Sequence, residues 1–502
     1  MELFMMGLNN VLAPATMLWI FFGVALGVIF GALPGVSATM AIILSISFTY
    51  TMSPVVAIAF LAAVYCSAIT GGGITAILFK IPGTPSSAAT TLDGYPMTQR
   101  GEAGRALSIS LFCSSIGGLF SAVVMFLLTQ PLMRLALRFS SIEQFSVCFL
   151  GLSILIFLDK ENMINTFASA IIGLWLGTVG LDYFSTVPRF TFGTVNLLNG
   201  IEALPFMLGL FAVVEVFSEI TNPTDRSAYG TEQKADISKL VSFKEMLHLK
   251  WTMLRSSVIG GLVGIMPGAG ATIASWLAYS VENKLSKHPE EMGNGDPHGI
   301  AASETANNAA TGGAMVPLLA MGIPGSNAAA MMMAALAIHG VQMGPMLLRA
   351  QPEYLSTTFV SMMIANVLMV VVAIVVAKIF AKILSMPYWI LGSFIMALAI
   401  TGSYARINSI SDVWILVVAG IFGYFFKVFK FNSSALILGL VLGPMLERHF
   451  RRSLQLSRGD LVGHILQRPL AVAIIGIILL MYAYYFYGMY KDRKNKAATR
   501  QT

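Results

Sequence analysis

Long apolar runs recur along the whole chain and restrict it to folds that can exist in a bilayer. They cover residues 17–33, 55–69, 106–128, 142–158, 167–181, 206–220, 355–384, 389–400, 413–426, 435–446 and 469–489. Charged residues make up 11% of the chain, against about 25% in soluble proteins. A helix needs about 20 mostly apolar residues to cross a bilayer, so roughly ten to thirteen crossings fit. The runs lack the period-two alternation of a transmembrane β-barrel. The sequence therefore predicts an all-α polytopic membrane protein.

Charge and cysteine content indicate which partners and which kinds of site to expect. The net charge of +7 is spread over loops and helix ends, which fits positive-inside anchoring in a lipid bilayer and predicts no nucleic-acid partner. Cys66, Cys113 and Cys148 lie in apolar segments, and their spacing matches neither a metal site nor a disulfide framework. We interpret them as small core residues, and we expect neither a metal site nor a cofactor at these cysteines.

Two short sequences occur twice in the same order. GVIFGALPGVSATMA (27–41) and GGLVGIMPGAGATIA (260–274) are identical at seven of fifteen positions. TGGGITAILFKIPGTPSSAAT (70–90) resembles TGGAMVPLLAMGIPGSNAAAM (311–331), with one residue inserted before the second IPG. Each half thus carries a PG motif, then TGG, then IPG, which indicates an internal duplication.

The duplication sets the predicted domain organisation. Residues 1–221 form the first membrane repeat, 222–250 a polar linker loop, and 251–450 the second membrane repeat. Residues 451–502 form an interfacial segment, the last membrane helix and a basic tail. The polar residues 282–298 are expected to form an exposed loop, and DGYP (93–96) a turn that ends a helix.

The repeated Pro/Gly motifs predict broken helices around a binding site. Backbone groups cannot stay unpaired in hydrocarbon, so a break persists only where protein, ligand or water satisfies them. Matching breaks in two halves mark the binding site of many secondary transporters. Each PG motif resembles a helix start, with Pro at the first helical position. The glycines of both TGG motifs fit either close helix packing or local unwinding.

Helix N-termini offer free N–H donors and about half a positive charge, which suits a carboxylate ligand. Lys80, before the first IPG, either contacts that carboxylate or extends to the membrane interface. The candidate substrate-binding residues are Pro34, Gly35, Val36, Ser37, Thr39, Lys80, Pro82, Gly83, Thr84, Ser86, Ser87, Pro267, Gly268, Ala269, Gly270, Thr272, Pro324, Gly325, Ser326 and Asn327.

The segment SETANNAAT (303–311) carries oxygen ligands and one charge. Glu304 and Asn308 share a helix face at i,i+4, as do Asn307 and Thr311. Such oxygens suit a hard monovalent cation, although the same residues could instead hydrogen-bond neighbouring helices together. The candidate ion-binding residues are Ser303, Glu304, Asn307, Asn308 and Thr311.

Together these motifs resemble the large membrane subunit of the tripartite tricarboxylate transporters, the TctA family. They are GALPGVSATMA, AITGGGITAILFKIPGTPSSAATTLDGYPMTQRGEAGRAL, GIMPGAGATIASW and SETANNAATGGAMVPLLAMGIPGSNAAA, and the likeness spans nearly the whole chain. Thr70 and Lys80 depart from the residues expected for the family.

The resemblance implies a multi-pass protein of the bacterial inner membrane with two inverted repeats and an elevator-type plan. It also implies two partners, a small four-helix TctB-like membrane subunit and a periplasmic TctC-like binding protein. The implied function is import of a citrate-like di- or tricarboxylate, coupled to a cation gradient, usually sodium. A proton-coupled carrier of another organic anion is the alternative.

Two other classes of function fit the sequence less well. An intramembrane enzyme is disfavoured because the sequence lacks HExxH and GxSxG motifs. A passive channel is weakly disfavoured by the Pro/Gly-rich breaks.

Overall fold

The computed structural model describes residues 2–159, 162–221, 241–384, 388–405 and 407–499. Residues 222–240 of the predicted linker lie outside this description, and the remainder of that linker holds a short helix. The described helices are α1 (Glu2–Leu12), α2 (Pro14–Ala32), α3 (Ala38–Thr49), α4 (Pro54–Phe79), α5 (Thr90–Gln99), α6 (Ala103–Ala136), α7 (Ser141–Leu158), α8 (Met163–Leu176), α9 (Ala203–Leu208), α10 (Val214–Thr221), α11 (Phe243–His248), α12 (Lys250–Ile265), α13 (Gly270–Leu285), α14 (Pro297–Met321), α15 (Asn327–Ile338), α16 (Leu347–Ala350), α17 (Pro352–Leu384), α18 (Tyr388–Ala405), α19 (Ile410–Val428), α20 (Ser433–Leu456), α21 (Leu461–Leu466) and α22 (Pro469–Thr499).

Short non-α segments complete the described fold. The 3-10 helices Pro85–Ser87 and Val195–Leu197 flank loops, and a π segment, Gly209–Val213, joins α9 to α10. Strands β1 (Gly180–Leu181) and β2 (Pro188–Arg189) form an antiparallel ribbon between α8 and α9. The predicted boundary at residue 450 falls inside α20.

Seven described helical segments are long and apolar enough to cross a membrane, and five shorter apolar helices accompany them. The prediction of an all-α polytopic membrane protein is confirmed. Helix α14 is more polar than these spans, yet its residues from Gly299 to Ala320 are all buried. The surrounding helices thus keep its polar side chains away from lipid, where they would be costly.

The two halves contain the same succession of elements around their repeated motifs. Helix α2 packs along α4, and α12 packs in the same way along α14. Glycines make these approaches possible, because a Cβ at Gly27 would lie 2.6 Å from the Val64 carbonyl oxygen, and one at Gly260 would collide with Ala306. The TGG glycines lie inside α4 and α14, so of the two readings left open they serve close packing and not unwinding.

Helices α4 and α14 form the centre of the bundle. Helix α4 packs against α17, whereas α14 packs against α6, so each central helix contacts a long helix of the opposite half. A similar exchange occurs at the periphery, where α8 packs on α20 and α19 packs on the α9–α10 segment. The core therefore brings the broken segments of both halves together.

Candidate functional site

Both PG motifs form tight turns between two helices. Gly35 and Gly268 have positive φ angles of 87° and 80°. This left-handed conformation cannot belong to a right-handed helix and favours glycine. The expectation that Pro34 and Pro267 occupy the first helical position is therefore wrong, because α3 and α13 begin three or more residues later. Ser37 caps α3 by accepting a hydrogen bond of 3.3 Å from the Met40 amide.

The two IPG breaks have matching backbone hydrogen bonds. The amide of each Ile donates to the carbonyl six residues earlier, at 3.4 Å for Ile81 and 3.3 Å for Ile323. The amide of each Gly donates to the carbonyl eleven residues earlier, at 3.2 Å for Gly83 and 3.4 Å for Gly325. Pro82 and Pro324 also precede their next helices, so here too the prediction of Pro at the first helical position is wrong. These bonds satisfy backbone groups that the breaks would otherwise leave unpaired.

All four breaks meet at one cavity of about 670 Å³. The predicted substrate residues that line it are Gly35, Ser37, Thr39, Pro82, Gly83, Thr84, Ser86, Gly268, Ala269, Gly270, Thr272, Ser326 and Asn327. Hydroxyl, amide and backbone groups therefore supply most of its polar surface. Among the lining residues that the structure describes, Glu215 alone carries a formal charge.

The other predicted substrate residues do not line this cavity: Pro34, Val36, Lys80, Ser87, Pro267, Pro324 and Gly325. Lys80 is exposed, and its ammonium lies 5.7 Å from the centre of the Tyr95 ring. Gly325 instead accepts a hydrogen bond of 3.0 Å from the Gly268 amide through its carbonyl, which joins two breaks of the second half.

Three polar residues at the cavity were not among the predicted ones: Tyr65, Ser434 and Glu215. The Tyr65 hydroxyl lies 3.3 Å from that of Ser326, and Ser434 Oγ accepts a hydrogen bond of 2.6 Å from Asn327 Nδ2. These contacts join separate helices, so no local pattern predicts them. Glu215 did carry a signal, because it is an acidic residue inside the apolar run 206–220.

The predicted ion-binding residues lie on α14 and are fully buried. Glu304 Oε1 accepts a hydrogen bond of 2.5 Å from the Thr90 hydroxyl. Glu304 Oε2 accepts from Ser114 at 3.1 Å and from Asn307 Nδ2 at 3.3 Å. The structure records no Lys, Arg or His partner for Glu304 among the described residues. A buried carboxylate with neutral donors around it favours binding of either a cation or a proton.

The remaining members of the set lie on the same helix as Glu304. The hydroxyls of Ser303 and Thr90 are 2.9 Å apart, and Asn308 Oδ1 accepts from Thr70 Oγ1 at 2.8 Å. Thr311 donates to the Asn308 carbonyl of its own helix at 2.7 Å. The structure thus brings Glu304, its neighbours on α14 and the first-half hydroxyls of Thr70, Thr90 and Ser114 into one polar cluster.

Asn307 connects this cluster to the cavity. Its Nδ2 donates to the Ser86 carbonyl at 3.4 Å as well as to Glu304. Ser86 lines the cavity, so one amide contacts both the cavity wall and the buried carboxylate. A ligand that shifts Ser86 would therefore change the hydrogen bonding of Glu304.

The described residues contain no group of three or more His, Cys, Asp or Glu that could hold a metal ion. All three cysteines are free and buried in the helical core.

Comparison with known proteins identifies the family of this chain. Residues 17–438 match the family model described as "Tripartite tricarboxylate transporter TctA family". The chain belongs to the TctA family. TctA proteins are transporter components and not enzymes, so the enzyme reading is excluded. Family membership also makes this chain the membrane subunit of a transporter with several components.

Two similar proteins come from Agrobacterium vitis. The uncharacterized 52.8 kDa protein in the TAR-I ttuC' 3' region is 35% identical over 472 residues, covering 94% of this chain and 93% of that protein. The uncharacterized protein in the TAR-II ttuC' 3' region is 38% identical over 221 residues, covering 44% of this chain and 91% of that protein. No solved structure matches the chain.

Proposed function

We propose that this TctA protein imports a di- or tricarboxylate, such as citrate, across the bacterial inner membrane by alternating access. The observation that carries the proposal is the meeting of four helix breaks, two from each half, at one cavity with hydroxyl and amide groups. Such groups can bind carboxylates by donating hydrogen bonds without a formal cation. A TctC-like binding protein would deliver the anion, and a TctB-like four-helix subunit would complete the membrane complex.

Transport is coupled in this proposal to a cation gradient, with sodium as the first candidate. Glu304 would provide the negative ligand, and the hydroxyl oxygens of Thr90 and Ser114 lie within hydrogen-bonding distance of its carboxylate. The amide nitrogen Nδ2 of Asn307 donates a hydrogen bond to the same carboxylate. The link from Asn307 to Ser86 supports coupling, because substrate and cation would act on the same amide. Coupling to protons is the alternative, with Glu304 as the group that is protonated.

We further propose that the halves are inverted repeats of an elevator-type carrier. If a two-fold axis relates the repeats, each contact of a first-half helix with a second-half helix should have a counterpart in which the halves are swapped. The packing of α4 on α17 and of α14 on α6 supports this relation, as does the pairing of α8 with α20 and of α19 with α9–α10. Alternating access would then move the broken-helix segments relative to the surrounding helices.

The test is uptake into proteoliposomes that contain this chain, the small subunit and the binding protein. Labelled di- and tricarboxylates are offered with an inward sodium gradient, with an inward proton gradient, or with neither. Accumulation of a carboxylate driven by sodium is expected. Accumulation driven by protons alone would show that the coupling ion is a proton and not sodium. No accumulation with either gradient would overturn the proposal.

A matched pair of variants ties uptake to the cavity. Ala269 lines the cavity, so Ala269→Trp should block uptake by filling it. Ile164→Trp places the same side chain at a position that is 83% exposed and outside the cavity, and it should leave uptake intact.

A further inference from the structure

Glu215 is a carboxylate in a cavity that we propose for anions. It lies on α10, and its side chain reaches the break between α2 and α3. A Cβ atom at Gly35 would be 2.5 Å from Glu215 Oε1, so the carboxylate lies directly against this turn. An incoming anion would therefore meet hydrogen-bond donors from the breaks and the carboxylate of Glu215 from α10.

The charge of Glu215 is only partly balanced by its neighbours. Lys427 Nζ on α19 lies 3.8 Å from Glu215 Oε2 and donates a hydrogen bond of 2.8 Å to Ser218 Oγ. The Lys427 side chain is 54% exposed and does not line the cavity, so solvent weakens its effect there. Glu219, one helical turn further along α10, adds a second negative charge near Glu215.

We propose that Glu215 determines which charge state of carboxylate the cavity accepts, and that it disfavours the more highly charged anions. This inference rests on the proposed function and identifies a specificity residue within it. Repulsion grows with each added substrate charge, whereas the neutral donors of the breaks are limited in number. Specificity often comes from such a repulsive element and not from added attraction.

The test compares two ligands that differ by one carboxylate: propane-1,3-dicarboxylate and propane-1,2,3-tricarboxylate. Equilibrium binding of both is measured with the purified full-length chain in detergent at constant pH and ionic strength. In Glu215→Gln, tricarboxylate affinity should improve by roughly tenfold more than dicarboxylate affinity, as expected for removal of one nearby charge. In Lys427→Gln, the change in this ratio should have the opposite sign, because Glu215 loses its counter-charge.

Glu219→Gln is the matched control. It makes the same chemical change one turn away from Glu215, at a residue that does not line the cavity, and should alter the ratio by less than about twofold. A merely structural effect of Glu215→Gln would weaken both ligands together and would leave their affinity ratio unchanged.

The outcomes separate this inference from the proposed function. If the unaltered chain binds carboxylates but the affinity ratio is the same in Glu215→Gln, the charge-selection role is overturned and carboxylate transport stands. If the two charge variants shift the ratio in the same direction, the role is also overturned. If the unaltered chain neither binds nor accumulates any carboxylate, the proposed function fails and this inference fails with it.

Discussion

Lys80 has in the first half the backbone conformation that Gly322 has in the second. Lys80 follows the end of α4 with φ at 60°, and Gly322 follows the end of α14 with φ at 74°. Each residue comes directly before an Ile-Pro-Gly motif. Many helices end with a left-handed residue, usually Gly, because a Cβ in this conformation costs about 1–2 kcal/mol. The Lys80 position is therefore explained by how α4 ends, and its side chain lies outside the cavity.

Replacement of Lys80 by Gly should stabilise the protein by about 1 kcal/mol, because it removes the strain of a left-handed non-Gly residue. The reciprocal change, Gly322→Ala, should destabilise it by about the same amount. Unfolding of the purified chain in denaturant measures both. Lys80→Asn removes the charge but tolerates the conformation, and carboxylate binding should survive in this variant. Loss of binding in both Lys80 variants would show that the ammonium contacts substrate.

Asp93 links α5 to a loop of the second half. Its Oδ1 accepts hydrogen bonds from the amides of Gly293, Gly295 and Asp296 at 2.8–2.9 Å, and its Oδ2 accepts from Tyr279 at 2.8 Å. Asp93→Asn should destabilise the protein by about 2–3 kcal/mol, because the amide cannot accept all four buried donors. Tyr279→Phe removes one donor and should cost about 1 kcal/mol. Thermal unfolding of the purified proteins measures both effects. Unfolding temperatures equal to that of the parent in both variants would contradict a stabilising role for this network.

Asn307→Ala should weaken the coupling between substrate and cation, because it removes the amide shared by Ser86 and Glu304. The sodium concentration for half-maximal uptake should rise by roughly tenfold, about 1.4 kcal/mol of lost interaction. Uptake into proteoliposomes at varied sodium measures it. Asn165→Ala, which alters a half-buried asparagine on α8 that donates to the Phe429 and Lys430 carbonyls, is the control and should keep the sodium dependence of the parent. Unchanged sodium dependence in Asn307→Ala would mean that Asn307 has no role in coupling.

Glu304→Gln should abolish cation dependence, because the neutral amide keeps the shape of the side chain but can neither bind a cation by charge nor accept a proton. Cation-driven accumulation is expected to stop, while exchange of substrate across the membrane continues. Glu304→Asp retains the charge and should recover part of the accumulation. A Gln variant that still concentrates substrate against its gradient would rule out Glu304 as the coupling site.

Asp182 should make the folded protein less stable as the pH becomes acidic. The Arg451 guanidinium, together with the Ser185 and Phe184 amides, holds the pKa of its carboxyl well below the usual range. A lowered folded-state pKa stabilises the protein above the unfolded value of about 3.9, and this contribution is lost as pH falls toward the folded-state pKa. The free energy of unfolding of the parent, measured in denaturant at pH values from 6 to 3, should fall over this range.

Asp182→Asn should be less stable than the parent at pH 6 and should depend less on pH. Asp460→Asn, which changes a carboxyl that caps α21, serves as the comparison. Equal acid sensitivity in the parent and Asp182→Asn would assign the effect to other groups.

Parts of the site follow from the sequence because they depend on spacing within one segment. The i,i+4 spacing predicted that Glu304 shares a helix face with Asn308, and Asn307 with Thr311, and the structure places all four on α14. The repeated PG and IPG motifs located the breaks. Thr90 and Ser114 were missed, because they reach Glu304 from helices that are remote in sequence.

Other expectations failed because a tertiary contact overrode a local preference. DGYP (93–96) was expected to form a turn, but it lies inside α5. The Asp93 carboxylate, which could have bonded its own turn, accepts the amides of the 293–296 segment instead. Residues 286–291 do form the predicted exposed loop, whereas residues near 295 are buried against Asp93.

The sequence by itself determined the membrane class, the positions of the four breaks and the polar face of α14. These properties follow from hydropathy, from glycine and proline geometry, and from helical periodicity, all of which act over a few neighbouring residues. The tertiary structure alone decided that the breaks share one cavity, that Lys80 stays outside it, and that Glu215 faces Gly35. Those outcomes depend on how helices far apart in the chain pack against one another, and packing is a property of the whole bundle.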